Sequence, residues 1–67
     1  MAIMKVVEVM SDSDKSWEDA TVKAVDHAGK TIRNIKSAWV QDQSVTVRKG
    51  KVDKYRVCVK ITFEIDG

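Results

Sequence analysis

The sequence predicts an α+β fold in which a three-stranded antiparallel sheet wraps around one helix, in the order β-α-β-β. Three observations predict it. β-Branched residues crowd the stretch from Ile3 to Val9. Apolar residues recur at spacings of three and four from Trp17 to Ile35. After a glycine at position 50, strict alternation governs the segment from Tyr55 to Ile65. The 67 residues make one domain, 1–67, and a chain this short hides only about 60% of the surface that its unfolded form exposes.

The first strand rests on "KVVEV" and its neighbours, whose branched side chains favour a pleated, half-buried surface. In "SDSDKSWED", Ser13 is placed to accept a hydrogen bond from the amide of Ser16 or a neighbour. Asp14 and Glu18 stand near the positive end of the helix that begins there. Trp17, Ala20, Ala24, Ala28, Ile32 and Ile35, with Val25 beside them, draw one apolar stripe, and alanine at its centre lets a sheet approach closely. Asn34 is a fair terminator.

The remainder reads as one long hairpin. Gly50 in "RKGK" takes positive φ without steric cost, which puts the turn at Arg48 to Lys51. In the last strand Tyr55, Val57, Val59, Ile61, Phe63 and Ile65 face one way, and Lys54, Arg56, Cys58, Lys60, Thr62 and Glu64 the other. The middle strand changes parity, with Ala38 and Val40 on one side and Val45 and Val47 on the other. A bulge or strong twist near Asp42 to Ser44 reconciles them.

Lengths then decide something. A helix of roughly nineteen residues spans about 28 Å at ~1.5 Å per residue. Strands of about thirteen to fifteen residues span about 45 to 50 Å. The hairpin outruns its helix, so its surplus length and its edges need cover, most economically from identical subunits. The polar stretch after Trp39 is accordingly expected at a subunit interface.

Composition narrows the alternatives. Cys58 is the sole cysteine and His27 the sole histidine, so no intrachain disulfide and no zinc site of cysteines and histidines can form. Of the devices that stabilise small scaffolds, oligomerisation remains. A free thiol fits a reducing compartment, and the N-terminal "MAIMKVVEVM" is interrupted by Lys5 and Glu8, far short of the ~20 apolar residues of a membrane span. A cytoplasmic protein that does not engage membranes is expected. The net charge of +2 is small and mixed along the chain, so nothing calls for nucleic acid.

Taken together, "KVVEV", the Ser-bearing loop, "SWEDATVKAVDHAGKTIRNI", "AWVQDQSV" and "KVDKYRVCVKITFEID" resemble the dodecins, over nearly the whole chain. The resemblance implies a hollow homododecamer that binds flavins (riboflavin, FMN) between subunits. In flavin-binding dodecins a tryptophan at the start of strand two stacks on the isoalloxazine ring, and a glutamine after the tyrosine of strand three hydrogen-bonds its polar edge. Those positions hold Ser37 and Arg56 here. Serine has no π-face, which removes a stacking contribution of about 1 kcal/mol, and Arg56 donates hydrogen bonds but cannot accept them. The chain is more similar to the branch without the flavin tryptophan, for which the resemblance implies an assembly with ions or other small ligands. Trp39, two residues beyond Ser37 on the same side of the strand, either packs across a subunit contact or supplies another stacking surface. Ser37, Trp39, Gln43 in the polar stretch and Arg56 are the candidate ligand residues.

Other constellations are weaker. Asp12, Asp14 and Ser16 have the one-three-five spacing of a calcium loop, but an EF-hand needs glycine where Trp17 stands and glutamate where Lys23 stands. No metal site is assigned, and Asp12 and Asp14 remain surface candidates against the plainer role of helix capping. His27 and Cys58 lack an evident catalytic partner, and Gly29, Gly50 and Gly67 are isolated, so no phosphate loop exists and no enzyme is expected. Arg48, Lys49, Lys51 and Lys54 read as a solubilising turn that blunts a sheet edge. The expected function is a non-catalytic, homododecameric container or buffer for a small ligand. The alternative is a structural or ion-binding cage without an organic cofactor.

Overall fold

The computed structural model describes residues 2–65; Met1, Asp66 and Gly67, and with them both ends of the expected 1–67 domain, lie outside the described residues. The chain runs β1 (Ile3–Ser13), α1 (Trp17–Ala28), β2 (Ile35–Arg48) and β3 (Lys51–Ile65). The strands form one antiparallel sheet in the order β1-β3-β2, as the β-α-β-β reading requires. β3, whose alternation is cleanest, is the central strand.

One face of β3 is the core. Val57, Val59 and Ile61 are wholly buried beneath Ala20, Ala24 and Ala28 of the helix, and each large side chain so buried contributes about 1.5 to 3 kcal/mol. Val7 and Val9 of β1 pair with Ile61 and Val59 and extend the core sideways. The alanine stripe works as its composition suggests, because short side chains let the helix settle on the sheet.

Two boundaries differ from the sequence reading. The helix cap is Ser16 rather than Ser13: its backbone is extended, with φ −169° and ψ 166°, and its Oγ accepts the amide of Asp19 at 3.0 Å. Ser13 instead ends β1, where it is buried and accepts the amides of Lys15 at 2.9 Å and Ser16 at 3.4 Å. β1 therefore runs four residues past Val9, because the ladder to β3 outweighs the low strand preference of "MSDS".

The helix has 12 residues, not the nineteen or so that the apolar period suggested. It ends before Gly29, a poor helix former, and the amides of Lys30 and Thr31 turn back to the carbonyls of His27 and Ala28 at 3.1 and 3.2 Å. Asn34, at φ 64°, then redirects the chain into β2. Ile32 and Ile35 still pack on the core, but from the connection and the strand.

Lys49 and Gly50 both have positive φ, 54° and 77°, and Arg48 pairs with Lys51 in a tight hairpin turn of the primed type. The expected bulge lies at Gln41, between Val40 and Asp42, one residue before the stretch proposed for it. It places Ala38 and Val40 opposite Ile61 and Val59, and Val45 opposite Tyr55, all on the helix side.

The helix lies over β1 and β3 and leaves β2 aside. Its main reach to β2 is Trp17, whose ring meets Tyr55 edge-on at 5.2 Å and whose Nε1 donates to the Ser44 carbonyl at 2.9 Å. The molecule measures 50 × 19 × 14 Å, whereas a helix of this length spans only about 18 Å. No helix among the described residues is long and apolar enough to cross a membrane.

Candidate functional site

On the face turned away from the helix, three rows of side chains cross the sheet. Glu8, Lys60 and Trp39 form the first, Met10, Cys58 and Asp42 the second, and Asp12, Arg56 and Ser44 the third. The antiparallel register puts each trio at one level, and the Gln41 bulge keeps Trp39 and Asp42 on this same face despite their odd spacing.

Trp39 is 48% exposed, and the Lys60 ammonium stands 5.9 Å from its ring centroid. The arrangement is a weak cation–π contact at an open site. Ser37 pairs with Thr62 and shares the face of Trp39, which agrees with the spacing in sequence. One side of the indole is therefore shaded by a cation, and a hydroxyl lies next along the strand.

The second row and, from the third, Arg56 and Ser44 border a cavity of about 540 Å³ that Glu8 and Gln43 also line. Gln43 pairs with Val57 and so has the parity of the helix side, but it borders the same cavity as Arg56. Ser37 and Trp39 lie outside that lining. The candidate residues thus divide between an indole platform and a polar groove.

Arg56 is held by Asp12 through a two-pronged pair, Nε to Oδ1 at 2.7 Å and Nη2 to Oδ2 at 3.0 Å. The hydrogen bonds and charge of Arg56 hold the Asp12 carboxyl below its usual range. Both Asp12 oxygens are engaged by a cation, which makes the group a poor ligand for a metal ion. Asp14 lies in the exposed loop before the helix, and among the described residues no three histidine, cysteine or acidic side chains converge on a common point.

Cys58 is half-buried on the cavity floor. Burial pushes its thiol up, and the hydrogen bond that the thiol donates to Glu8, with the negative charges of Glu8 and Asp42, pushes it further. A thiol so placed stays protonated at neutral pH and is a poor nucleophile. His27 lies across the sheet, between the helix and β1, bordering a cavity of about 210 Å³ with Ser11 and Ala24. Cysteine and histidine therefore stand on opposite faces.

Sequence reasoning did not single out Glu8, Met10, Asp42 or Lys60. Alternation put Lys60, Cys58 and Arg56 on one face, but the partners across the strands depend on a register that spacing alone does not fix.

The family model described as Dodecin matches residues 3–66. The calcium dodecin of Mycobacterium tuberculosis is 29% identical over 65 residues, covering 97% of this chain and 92% of that protein. Among solved structures, a variant of Thermus thermophilus dodecin superposes with a TM-score of 0.92 at 25% identity, covering 100% of both chains. The crystal structure of the calcium-chelating immunodominant antigen calcium dodecin from Mycobacterium tuberculosis has a TM-score of 0.84 at 31% identity, covering 96% of this chain and 91% of that one.

Proposed function

The chain belongs to the dodecin family, and from that premise we propose that it assembles into a homododecamer that holds a small ligand between subunits without transforming it. The observation that carries this reading is the exposure of β2. From Lys36 to Val45 every residue is exposed, on both faces of the strand, Trp39 and Val40 included. An apolar-bearing flank of that length, at an open sheet edge, invites cover, and copies of the same chain provide it. Each subunit is then one domain, 1–67, in the cytoplasm, where the single Cys58 stays reduced.

Ser37, Trp39, Gln43 and Arg56 are the ligand-facing residues of this reading. Trp39 supplies the one aromatic surface among them, with Lys60 beside it. Flavin is weakly supported, since Ser37 lacks a ring and Arg56 is tied to Asp12. A second reading, an ion-holding cage without an organic cofactor, is favoured by the likeness to a protein named calcium dodecin, with Glu8 and Asp42 the acidic groups that line the groove.

Light scattering on the purified protein tests the assembly: a mass twelve times the 7.5 kDa chain is expected, and a stable monomer at micromolar concentration overturns the proposal. Titration of riboflavin and FMN, followed by flavin fluorescence, separates the readings. Quenching at a stoichiometry tied to the subunit count supports an organic ligand. No quenching, with heat released on calcium addition, supports the ion.

A further inference from the structure

Charge that is mixed along the chain as a whole is one-sided at the hairpin tip. At the β2–β3 turn, Arg48, Lys49, Lys51 and Lys54 face one acid, Asp53, and Arg48, Lys49 and Lys51 meet no acidic partner among the described residues. The same tip is apolar on its helix side. Val45 lies opposite Tyr55, whose ring touches Trp17; along β2 the alternation carries Val47 to that side, where a register shift after Thr46 sets it opposite Val52. Trp17 is the first residue of the helix, so the helix gives no cover beyond it, and Val47 and Val52 are 65% and 54% exposed. A pair of bare valines framed by unpaired cations is the result.

The outer face of the helix has the opposite character. Glu18, Val22 and Asp26 follow one another at intervals of four, which stacks them on one face, and all three are exposed, Val22 at 58%. The nearby cation Lys23 is engaged by Asp19 at 2.9 Å, so it does not neutralise the stripe. Here a bare valine is framed by two acids.

We propose that the hairpin tip of one copy docks across the outer helix face of a second copy, Val47 and Val52 on Val22 and the tip lysines against Glu18 and Asp26. The two surfaces match in apolar centre and in charge, and neither finds its complement within its own chain. Because tip and helix face are different patches, the contact is heterologous: each subunit gives its tip to one neighbour and receives the tip of another, and a finite assembly requires the rotation between neighbours to close into a ring. The inference rests on the oligomeric reading above and names the surfaces that build it.

The test reverses charge on each side. Lys49→Glu with Lys51→Glu makes one variant, and Glu18→Lys with Asp26→Lys the other. Each alone is expected to raise the concentration at which the assembly dissociates by about tenfold or more, as loss and reversal of several surface pairs would do. All four changes on one chain are expected to restore it, and that recovery excludes misfolding as the cause of the single defects. An unchanged dissociation concentration in both charge variants, or a four-fold variant no better than either, overturns the docking while the dodecamer stands. A monomeric parent protein overturns both.

Discussion

Arg56 and Asp12 face each other across β3 and β1 with both carboxylate oxygens engaged, at 2.7 and 3.0 Å. The pair closes the end of the sheet where β1 turns into the helix, and it engages the Nε and Nη2 donors of Arg56, a cation that also borders the groove. It also carries a pH signature. The folded state lowers the Asp12 pKa from 3.8, so the unfolded chain binds the proton more readily. The stabilisation is then fully present above pH 3.8 and is lost as pH falls through the lower folded value. Asp12→Asn is expected to melt slightly below the parent protein at pH 7 and to match it at the acid end. Thermal melts between pH 7 and pH 2 check this, and a constant gap at all pH values would refute it. The pair is partly exposed, so the effect is small.

The two serines of the first loop separate by role. Ser16→Ala removes the helix cap and should cost about 1 kcal/mol. Ser13→Ala removes more, because the buried Ser13 Oγ accepts the amides of Lys15 and Ser16 and donates to Asp19 at 2.6 Å. With its partners left unsatisfied the cost should reach about 1 to 3 kcal/mol. Urea denaturation ranks them; equal losses would argue against the hub at Ser13.

Those serines also show what the sequence could and could not reveal. Both stand before the same apolar stripe and both fit a cap, so composition cannot choose between them; tertiary burial of Ser13 does. The stripe itself was legible because a helix repeats every 3.6 residues, but its end was not, since Ile32 and Ile35 keep the period while belonging to a turn and a strand. In β2 the parity conflict between Val40 and Val45 exposed a bulge to within one residue. The groove was the least legible part. Asp12 and Arg56 are 44 residues apart, and a one-residue slip in register would send every side chain to the other face.

Cys58 should be sluggish toward alkylation at pH 7, because burial and two carboxylates keep its thiol protonated. Glu8→Gln removes the negative charge and leaves only a neutral, weaker acceptor for the thiol, so it should lower the thiol pKa and speed reaction with iodoacetamide. Asp42→Asn acts through charge alone and should do less. Since burial is the largest cause, neither variant should reach the rate of a free thiol. A pH profile of the rate is the measurement, and an unmoved profile in Glu8→Gln would show that the carboxylate has no hold on the thiol.

Position 37 gives the sharpest reading of ligand preference. Ser37 and Trp39 share a face, two residues or about 7 Å apart along the strand, and Ser37 lies opposite Thr62. Ser37→Trp would add a ring at the position that a flavin-stacking tryptophan occupies in the resemblance. An added aromatic pair is worth about 0.5 to 1.5 kcal/mol, so FMN affinity should rise by roughly two- to tenfold, read as fluorescence quenching at lower protein concentration. Trp39→Ala made in the same background separates the two indoles: if Trp39 also stacks, affinity drops again, and if it only packs between subunits, the oligomer weakens while affinity per assembled subunit holds. An intact Ser37→Trp oligomer that quenches flavin no better than its parent would mean that position 37 does not face the ligand, and the mapping of the site onto this strand would have to be abandoned.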